Sequence, residues 1–302
     1  MQIKQKWDSG NIPGQKGKVV IVTGSSSGLG FQDANVLAGK NASVIIAVRN
    51  LEKGNNAANK IKTNYKDADV SVMELDLANL NSVKKFAENF KQKYSRLDLL
   101  INNAGVMVPP YSKTADGFEL QFGTNHLGPF ALTGLLIDLI KDTKNSRIVN
   151  VSSAAHKYGN INFDDLNWEK RKYKPWKAYG DSKIANLYFT YELKKKLEAS
   201  NSSAKVAAAH PGWTATELQR HSGFFVGILN VLFAQTIEMG ALPTLYAATA
   251  EDVNSGEYFG PSNWQEWRGY PKKVESNELS HDTKIAAKLW EVSEKLTGIH
   301  FN

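Results

Sequence analysis

Residues 18–30 read KVVIVTGSSSGLG, and this stretch decides the fold. Residues 19–22 are an apolar, β-branched run without alternating polar residues, which is typical of a strand buried on both faces of a parallel sheet. Gly24, Gly28 and Gly30 follow directly and lead into a helix-like segment. Glycine permits positive φ and close backbone approach, and the N–H groups at a helix N-terminus favour a phosphate. The stretch therefore predicts a strand, a phosphate-binding turn and a helix.

The spacing of these glycines differs from the common dinucleotide fingerprint. That fingerprint is G-x-G-x-x-G, whereas residues 23–30 read T-G-x-x-x-G-x-G. Glycines in a strand-to-helix turn can also serve close packing alone. The turn by itself leaves both phosphate binding and a purely steric role open.

The composition is that of a globular protein with a sizeable core, since 42% of the 302 residues are hydrophobic. The chain has 0 cysteines, which excludes disulfides, thiol catalysis and thiolate metal sites, and we expect no metal. No apolar run reaches the roughly 20 residues that span a bilayer, and residues 1–18 are polar, without a signal-peptide core. We expect a cytoplasmic protein without a transmembrane segment.

The formal net charge of +7 raises the question of a polyanionic partner. The densest basic run is residues 169–177 (EKRKYKPWK), which interleaves cations with aromatic side chains. A solvated surface insertion is favoured, because the other basic residues are spread along the chain. We expect no nucleic-acid partner, and a nucleotide-sensing or polyanion-binding module without turnover is the alternative class.

Apolar strand candidates alternate with helix-length segments after the glycine turn. This alternation implies right-handed βαβ crossovers, and thus an α/β fold: a single-domain, Rossmann-like, doubly wound parallel sheet with helices on both faces. No linker or repeat divides residues 1–302, and ligands of such sheets bind beyond the carboxyl ends of the strands. The strand candidates are residues 43–48, 70–75, 97–101, 147–151 and 206–209, and the helix candidates are residues 31–37, 51–65, 81–94 and 117–140.

Tyr179 and Lys183 lie four residues apart in a segment with helical character, so their side chains project from the same helix face. A neighbouring ammonium stabilises a phenolate and lowers the pKa of the phenol, which suits acid/base chemistry at neutral pH. A tyrosine and a lysine one turn apart also occur by chance in many helices.

Five ordered motifs together resemble the short-chain dehydrogenase/reductase family. They are the T-G-x-x-x-G-x-G turn at residues 23–30, N-N-A-G at 102–105, the strand ending in two serines at 149–153, Y-x-x-x-K at 179–183 and H-P-G at 210–212. The resemblance covers nearly the whole chain. It implies hydride transfer between a nicotinamide cofactor and a carbonyl or alcohol substrate.

Several details are most similar to the branch that contains retinol dehydrogenases and protochlorophyllide-reductase-like oxidoreductases. They are TNHLG at residues 124–128, VNVSS at 149–153 and the long insertion at 157–178. Plant-type protochlorophyllide reductases carry active-site cysteines, so we do not expect that activity here. Membrane-bound retinol dehydrogenases usually carry an N-terminal apolar anchor that this sequence lacks, so the branch does not fix a retinoid substrate.

The resemblance implies a catalytic set of four residues. Tyr179 is the acid/base, and Lys183 lowers its pKa and holds the nicotinamide ribose. Ser153 hydrogen-bonds the carbonyl oxygen; it is preferred to Ser152 because the family places the catalytic serine second, and alternation turns the two side chains opposite ways. Asn125 anchors a water-linked relay to the lysine, although it could instead kink or cap its helix.

Cofactor preference is predicted by the turn after the second strand. NAD-selective enzymes place an acidic residue there, whereas Arg49 suits a 2′-phosphate, so NADP(H) is preferred over NAD(H); the alternative is that Arg49 faces solvent. Asp76 could likewise cap the helix near Asn79 rather than contact the adenine. The full set of predicted cofactor residues is Gly24, Ser26, Ser27, Gly28, Leu29, Gly30, Arg49, Asn50, Asp76, Leu77, Asn103, Ala104, Gly105, Tyr179, Lys183, Pro211, Gly212, Thr214 and Thr216.

The remaining features concern the substrate side. Thr214 stands where the family usually has valine, and His210 is interpreted as structural. The apolar residues 224–234 (FFVGILNVLFA) suit a lid over a lipophilic substrate, a dimer contact or a membrane-surface element, within a lid and C-terminal region at 217–302. Tyr173 and Trp176 of the insertion either border the substrate entrance or pack a surface loop.

The sequence thus predicts an NADP(H)-dependent carbonyl/alcohol oxidoreductase acting on a small molecule. The alternative is a catalytically weak NADP(H)-binding regulator on the same scaffold. By resemblance, a homo-oligomer is also expected. Substrate identity and reaction direction stay open.

Overall fold

The structure, a computed structural model, describes residues 6–214 and 234–301. These residues form one eight-stranded sheet with the order β3-β2-β1-β4-β5-β6-β7-β8. Thr216 and most of the segment 224–234 lie outside the described residues. The strands are β1 Val19–Thr23, β2 Ser43–Val48, β3 Val70–Glu74, β4 Leu99–Asn102, β5 Arg147–Val151, β6 Lys205–Ala209, β7 Tyr258–Asn263 and β8 Arg268–Val274.

Strands β1 to β7 pair in parallel, and only the edge strand β8 is antiparallel, to β7. Val22, near the end of β1, pairs with Ile46 of β2 on one side and Ile101 of β4 on the other. The strand order therefore reverses at β1, which creates a crevice at the carboxyl ends of β1 and β4. The predicted doubly wound fold is confirmed, whereas β7 and β8 were not predicted.

Helices cover both faces of the sheet. Val20 and Val22 of β1 face a core layer that includes α1, α2 and the helix Ile237–Thr249, whereas Ile21 faces a second layer that includes α3, α5 and α6. Alternate residues of one strand thus serve two cores, which explains the apolar run without polar alternation. The helices are α1 Gly28–Gly39, α2 Leu51–Asn64, α3 Leu80–Lys93, α4 Leu120–Phe122, α5 Gly128–Asp142, α6 Pro175–Ala199, and the later helices Ile237–Thr249 and Thr283–Thr297.

The single helix predicted over residues 117–140 is wrong in its first part. A loop precedes the short helix α4, and a π-helical turn, Gly123–Leu127, joins α4 to α5. The buried Glu119 carboxylate accepts hydrogen bonds from the N–H groups of Gln121 and Phe122 (3.0 and 2.7 Å), and so fixes where the helix begins. Within the described ranges, no helix combines the length and the apolar character needed to cross a membrane.

Candidate active site

The glycine turn after β1 is pressed against the N-N-A-G loop after β4. Gly24 and Gly28 have φ values of 67° and 59°, in the left-handed region that favours glycine. A Cβ on Gly24 would lie 2.9 Å from the Cα of Ala104, and a Cβ on Gly30 would lie 2.3 Å from Asn103 Nδ2. The glycines are therefore required by conformation and by contact, which is also the geometry that brings backbone close to a ligand.

Thr23 ties these two loops together. Its Oγ1 accepts hydrogen bonds from the N–H groups of Asn103 (3.1 Å) and Ala104 (3.0 Å), and its carbonyl oxygen accepts one from Asn103 Nδ2 (2.9 Å). Sequence reasoning missed this role, although the threonine is the first residue of the quoted motif. The two loops act as one rigid wall of the crevice.

A cavity of about 730 Å³ opens along this wall. Its size lies within the range of small-molecule and cofactor sites. Five predicted cofactor residues that the structure describes, namely Pro211, Gly212, Thr214, Tyr179 and Lys183, are outside its lining. Those that line it are Gly24, Ser26, Ser27, Gly28, Leu29, Gly30, Arg49, Asn50, Asp76, Leu77, Asn103, Ala104 and Gly105.

One end of the cavity is cationic. Arg49, Lys53 and Lys60 all line it and are exposed, whereas Asp76 is the carboxylate on the same lining among the described residues. Sequence reasoning missed Lys53 and Lys60, although residues 53, 56 and 60 have the spacing of one helix face. Asn50 caps α2, because its Oδ1 accepts a hydrogen bond from the Lys53 N–H (2.8 Å).

The two interpretations of Asp76 are separated by the geometry. The cap of α3 is Asn79, whose Oδ1 accepts from the N–H groups of Asn81 and Ser82 (3.0 and 3.3 Å). Asp76 instead accepts from the Ala78 N–H (2.9 Å) and lines the cavity. Asp76 therefore lies where its side chain could contact a cofactor bound in the cavity.

Tyr179 is buried on α6, only 9% exposed. Burial raises the pKa of Tyr179 to about 12, and a hydrogen bond with Ser153 lowers it in part. The expectation that Lys183 lowers this pKa is therefore wrong, since the net shift is upward and the group that lowers it in part is Ser153. Because burial disfavours the phenolate, the side chain keeps its proton at neutral pH.

Lys183 lies one turn further along α6 and is 4% exposed. Its Nζ donates a hydrogen bond to the Val151 carbonyl (3.1 Å) and lies 5.6 Å from the centre of the Tyr179 ring. Burial lowers the pKa of Lys183 to about 8, so the ammonium still predominates at neutral pH. The helix spacing does bring the two side chains together, as the sequence predicted.

The two serines after β5 face different surroundings. The buried Ser152 donates a hydrogen bond from Oγ to the Lys183 carbonyl (2.8 Å), so the proton of its hydroxyl is already used in a contact with α6. Ser153 is half-buried, accepts from the Ala155 N–H (3.2 Å) and reaches Tyr179. The geometry favours Ser153 as the serine available to a substrate oxygen.

Asn125 occupies the π-helical turn. Its Oδ1 accepts from the Val106 N–H (2.7 Å), and its Nδ2 donates to the Val106 carbonyl and to Ser182 Oγ (both 2.9 Å). A Cβ on Gly105 would lie 3.0 Å from Asn125 Oδ1 and 3.7 Å from Lys183 Nζ. Asn125 therefore holds the loop after β4 against α6, beside the lysine.

The insertion before α6 is docked on α4. The Tyr173 hydroxyl donates to Glu119 Oε1 (2.8 Å) and accepts from Gln121 Nε2 (2.9 Å), whereas Trp176 is 48% exposed. Burial, followed by the nearby Glu119 carboxylate, raises the pKa of Tyr173. Tyr173 thus packs the insertion, and neither aromatic residue lines the cavity.

The segment after β6 is held by hydrogen bonds to Pro211. Its carbonyl accepts from Thr214 Oγ1 (3.0 Å) and from Gln235 Nε2 (2.7 Å). In residues 6–214 and 234–301, no group of three or more His, Asp or Glu side chains is arranged to hold a metal ion.

The crevice beyond the strand ends, the glycine turn and the buried tyrosine and lysine are together the arrangement of a dinucleotide-dependent oxidoreductase. The short chain dehydrogenase family profile matches residues 18–223. The chain belongs to this family of short-chain dehydrogenases/reductases and is an oxidoreductase.

Retinol dehydrogenases are among its relatives, which confirms the predicted branch. Human retinol dehydrogenase 13 is 42% identical over 293 residues, covering 94% of this chain and 85% of the relative. Mouse retinol dehydrogenase 14 is 41% identical over 314 residues, covering 98% and 90%.

Solved structures show the same fold. An uncharacterised protein from Mycobacterium paratuberculosis has a TM-score of 0.84 and 42% identity, covering 98% of this chain and 99% of that one. RhlG of Pseudomonas aeruginosa, solved as a complex with NADP, has a TM-score of 0.64 and 24% identity over 80% of this chain and 94% of its own. The second likeness extends to the fold alone.

Proposed function

We propose that the protein is an NADP(H)-dependent oxidoreductase that interconverts a carbonyl and an alcohol, with Tyr179 as the acid/base. The observation that carries this proposal is the buried Tyr179–Lys183 pair with Ser153 beside it. Lys183 Nζ lies 3.7 Å from the position of a Cβ on Gly105, which lines the cavity with the glycine turn. A binding protein without turnover has no need of a desolvated phenol and ammonium at that place.

The cationic end of the cavity supports a preference for NADP(H). Arg49, Lys53 and Lys60 present positive charge where the ribose of the adenosine would lie, and a guanidinium can bind a 2′-phosphate with two hydrogen bonds. The glycine turn and the N-terminus of α1 suit the diphosphate. When bound, NADPH supplies the hydride that reduces the carbonyl carbon.

The neutral Tyr179 phenol can act as the general acid in the reductive direction. It donates its proton to the substrate oxygen as negative charge develops there. The Ser153 hydroxyl donates a hydrogen bond to the same oxygen. Lys183 stabilises the phenolate that remains, with its ammonium oriented by the Val151 carbonyl.

Part of the cavity lining is apolar, and we assign the substrate to this part. Val106, Met107, Pro109 and Leu120 all contribute to it. Such a surface favours a lipophilic carbonyl compound. Since related proteins are named retinol dehydrogenases, retinaldehyde belongs among the candidates, together with other long-chain aldehydes and ketones.

The test is consumption of NADPH by the purified protein with a panel of lipophilic aldehydes and ketones, and formation of NADPH from NADP and the matching alcohols. We expect wild-type turnover with at least one substrate and a loss of at least about a hundredfold in Tyr179→Phe, with NADPH binding retained. Tyr191→Phe is the matched control, because Tyr191 lies on the same helix but hydrogen-bonds Ser276 (2.7 Å). Equal turnover of wild type and Tyr179→Phe would rule out Tyr179 as the acid/base, whereas NADPH binding without turnover of any substrate would leave the catalytically weak NADP(H)-binding regulator as the function.

A further inference from the structure

His210, directly after β6, is buried and has a polar group at each ring nitrogen. Its Nδ1 accepts a hydrogen bond from the Gly212 N–H (3.3 Å), and its Nε2 lies 3.3 Å from Glu266 Oε2. A backbone N–H can only donate, so Nδ1 carries no proton and the neutral ring must carry its proton on Nε2. That proton faces the Glu266 carboxylate. The Gly212 N–H at Nδ1 and the Glu266 carboxylate facing Nε2 therefore both favour this tautomer.

Glu266 is held in this position by a strained turn between β7 and β8. Trp264, Gln265 and Glu266 have φ values of 49°, 51° and 68°, three consecutive non-glycine residues in the left-handed region. A non-glycine residue in this region is strained and persists only where the surroundings enforce the conformation. The ammonium of Lys157, four residues after Ser153, lies 3.9 Å from Glu266 Oε2. This turn places the Glu266 carboxylate next to the His210 imidazole.

The same turn also holds the backbone that follows His210. The Trp213 N–H donates to the Trp267 carbonyl (2.7 Å), and a Cβ on Gly212 would lie 2.3 Å from that carbonyl oxygen. The Gly269 N–H donates to Gln235 Oε1 (3.1 Å), and Gln235 in turn donates to the Pro211 carbonyl. The turn and the segment 211–214 are thus joined through backbone as well as through His210.

We propose that Glu266 is a positioning residue: by fixing the tautomer of His210, it holds the Gly212 N–H and the segment 211–214 in the conformation that receives the nicotinamide end of the cofactor. This inference rests on the proposed function. Glu266 acts through His210 rather than on the cofactor, so its removal weakens cofactor binding more than it slows chemistry.

A second buried histidine provides an internal reference. His156 places Nδ1 at 2.7 Å from the Ser153 carbonyl, and its Nε2 accepts from the Asn277 N–H (3.2 Å). By the same reasoning its neutral ring carries the proton on Nδ1, the opposite tautomer to His210. The Asn277 N–H, not Glu266, sets this tautomer, so changes at Glu266 leave it unaltered.

The first experiment measures NADPH affinity and kinetics of Glu266→Ala. We expect the Kd and the KM for NADPH to rise about tenfold, because the His210 ring loses the carboxylate that faces Nε2, with a smaller change in kcat. Glu266→Gln restores part of the affinity, since its amide oxygen can accept from Nε2–H. Glu257→Ala is the control on the same hairpin: it removes a carboxylate that pairs with Lys273 (3.1 Å), and we expect wild-type Kd.

The second experiment tests the coupling. His210→Asn keeps an acceptor near the Gly212 N–H but cannot reach Glu266, so Glu266→Ala should have no further effect on Kd in that background. Full additivity of the two substitutions would overturn the proposal. So would a Glu266→Ala protein whose NADPH affinity equals that of wild type.

The third experiment needs no turnover, so it separates this inference from the proposed function. In protein labelled with nitrogen-15 histidine, the His210 signal, assigned by its loss in His210→Asn, should show Nε2 protonated, and His156 should show Nδ1 protonated. Glu266→Ala should alter only the His210 signal. If wild type binds no NADPH, the proposed function fails while this signal still reports on Glu266. An unchanged His210 signal in Glu266→Ala contradicts the tautomer control itself.

Discussion

The two parts of the site differ in exposure. Tyr179 and Lys183, where chemistry is proposed, lie outside the cavity lining and are 9% and 4% exposed, whereas Arg49, Lys53 and Lys60 line the cavity and are all exposed. Burial shifts both pKa values in the first part, upward for the phenol and downward for the ammonium. Exposed cations attract an anionic ligand but are screened by salt.

This difference predicts a division of kinetic effects. Substitutions in the buried part should lower kcat, because proton donation to the substrate depends on groups held there. Substitutions in the exposed part should raise the KM for NADPH with little effect on kcat, since they remove binding that is equal in ground and transition states.

The largest effect is expected at Lys183. Lys183→Met removes the ammonium next to Tyr179, so the phenolate formed on proton transfer is left unpaired, and kcat should fall about a hundredfold or more. Steady-state kinetics with the best carbonyl substrate is the measurement. Lys194→Met, on the same helix but in a surface pair with Glu198 (3.8 Å), serves as control and should keep wild-type kcat. A Lys183→Met protein with kcat within threefold of wild type would break the comparison.

An intermediate effect is expected at Arg49. Arg49→Ala should raise the KM for NADPH roughly tenfold and leave the KM for NADH nearly unchanged, because only NADPH carries the 2′-phosphate. The effect should shrink as ionic strength rises. Lys62→Ala is the control, as Lys62 lies on α2 but not on the cavity lining. Equal KM changes for both cofactors would mean that Arg49 does not read the 2′-phosphate.

A further prediction concerns stability and tests the effect of burial alone, with no change expected in either kinetic parameter. Asp33 on α1 is fully buried, and neither carboxylate oxygen has a hydrogen-bond partner in the described part of the chain. Burial raises its pKa well above the ordinary 3.8, so the folded state keeps a proton that the unfolded state loses. Stability is therefore lost as pH rises from about 4, by up to about 1.4 kcal/mol per pH unit, until Asp33 ionises in the fold.

Asp33→Asn tests this linkage, since the amide has nearly the same shape and no charge at any pH. We expect its unfolding free energy to match wild type near pH 4 and to exceed it increasingly toward pH 7, with kcat unchanged. Denaturant unfolding at several pH values is the measurement. A difference that stays constant across this range would show that Asp33 does not carry the buried proton.

Much of the fold could be predicted, because β1 to β6 are recognisable in the sequence as apolar runs, several of which end in motif residues. The hairpin β7–β8 could not, since residues 258–274 contain two prolines and two glycines, and Pro271 is tolerated because β8 is an edge strand. The break before α5 was hidden for a different reason. Residues 117–140 form one long and largely apolar segment, whereas Asn125 in the π-helical turn is held by Val106, a residue distant in sequence.

The sequence could predict which side chains of the candidate site lie together when their spacing along a helix determines it. It could not predict properties that depend on burial in the folded protein. The four-residue spacing places Lys183 beside Tyr179, but it cannot give the sign of the Tyr179 pKa shift, which burial controls. Lys53 and Lys60 belong to none of the recognised motifs, and they reach the cavity because of where α2 packs in the fold. Cytoplasmic localisation and homo-oligomer formation stay predictions from the sequence.

The most direct test of the proposed roles of Tyr179 and Arg49 compares Tyr179→Phe with Arg49→Ala in one set of steady-state measurements. We expect opposite effects of the two substitutions. Tyr179→Phe should lower kcat at least about a hundredfold with NADPH affinity near wild type. Arg49→Ala should raise the KM for NADPH with kcat near wild type. Wild-type turnover in Tyr179→Phe, or loss of the same parameter in both variants, would contradict the proposed roles.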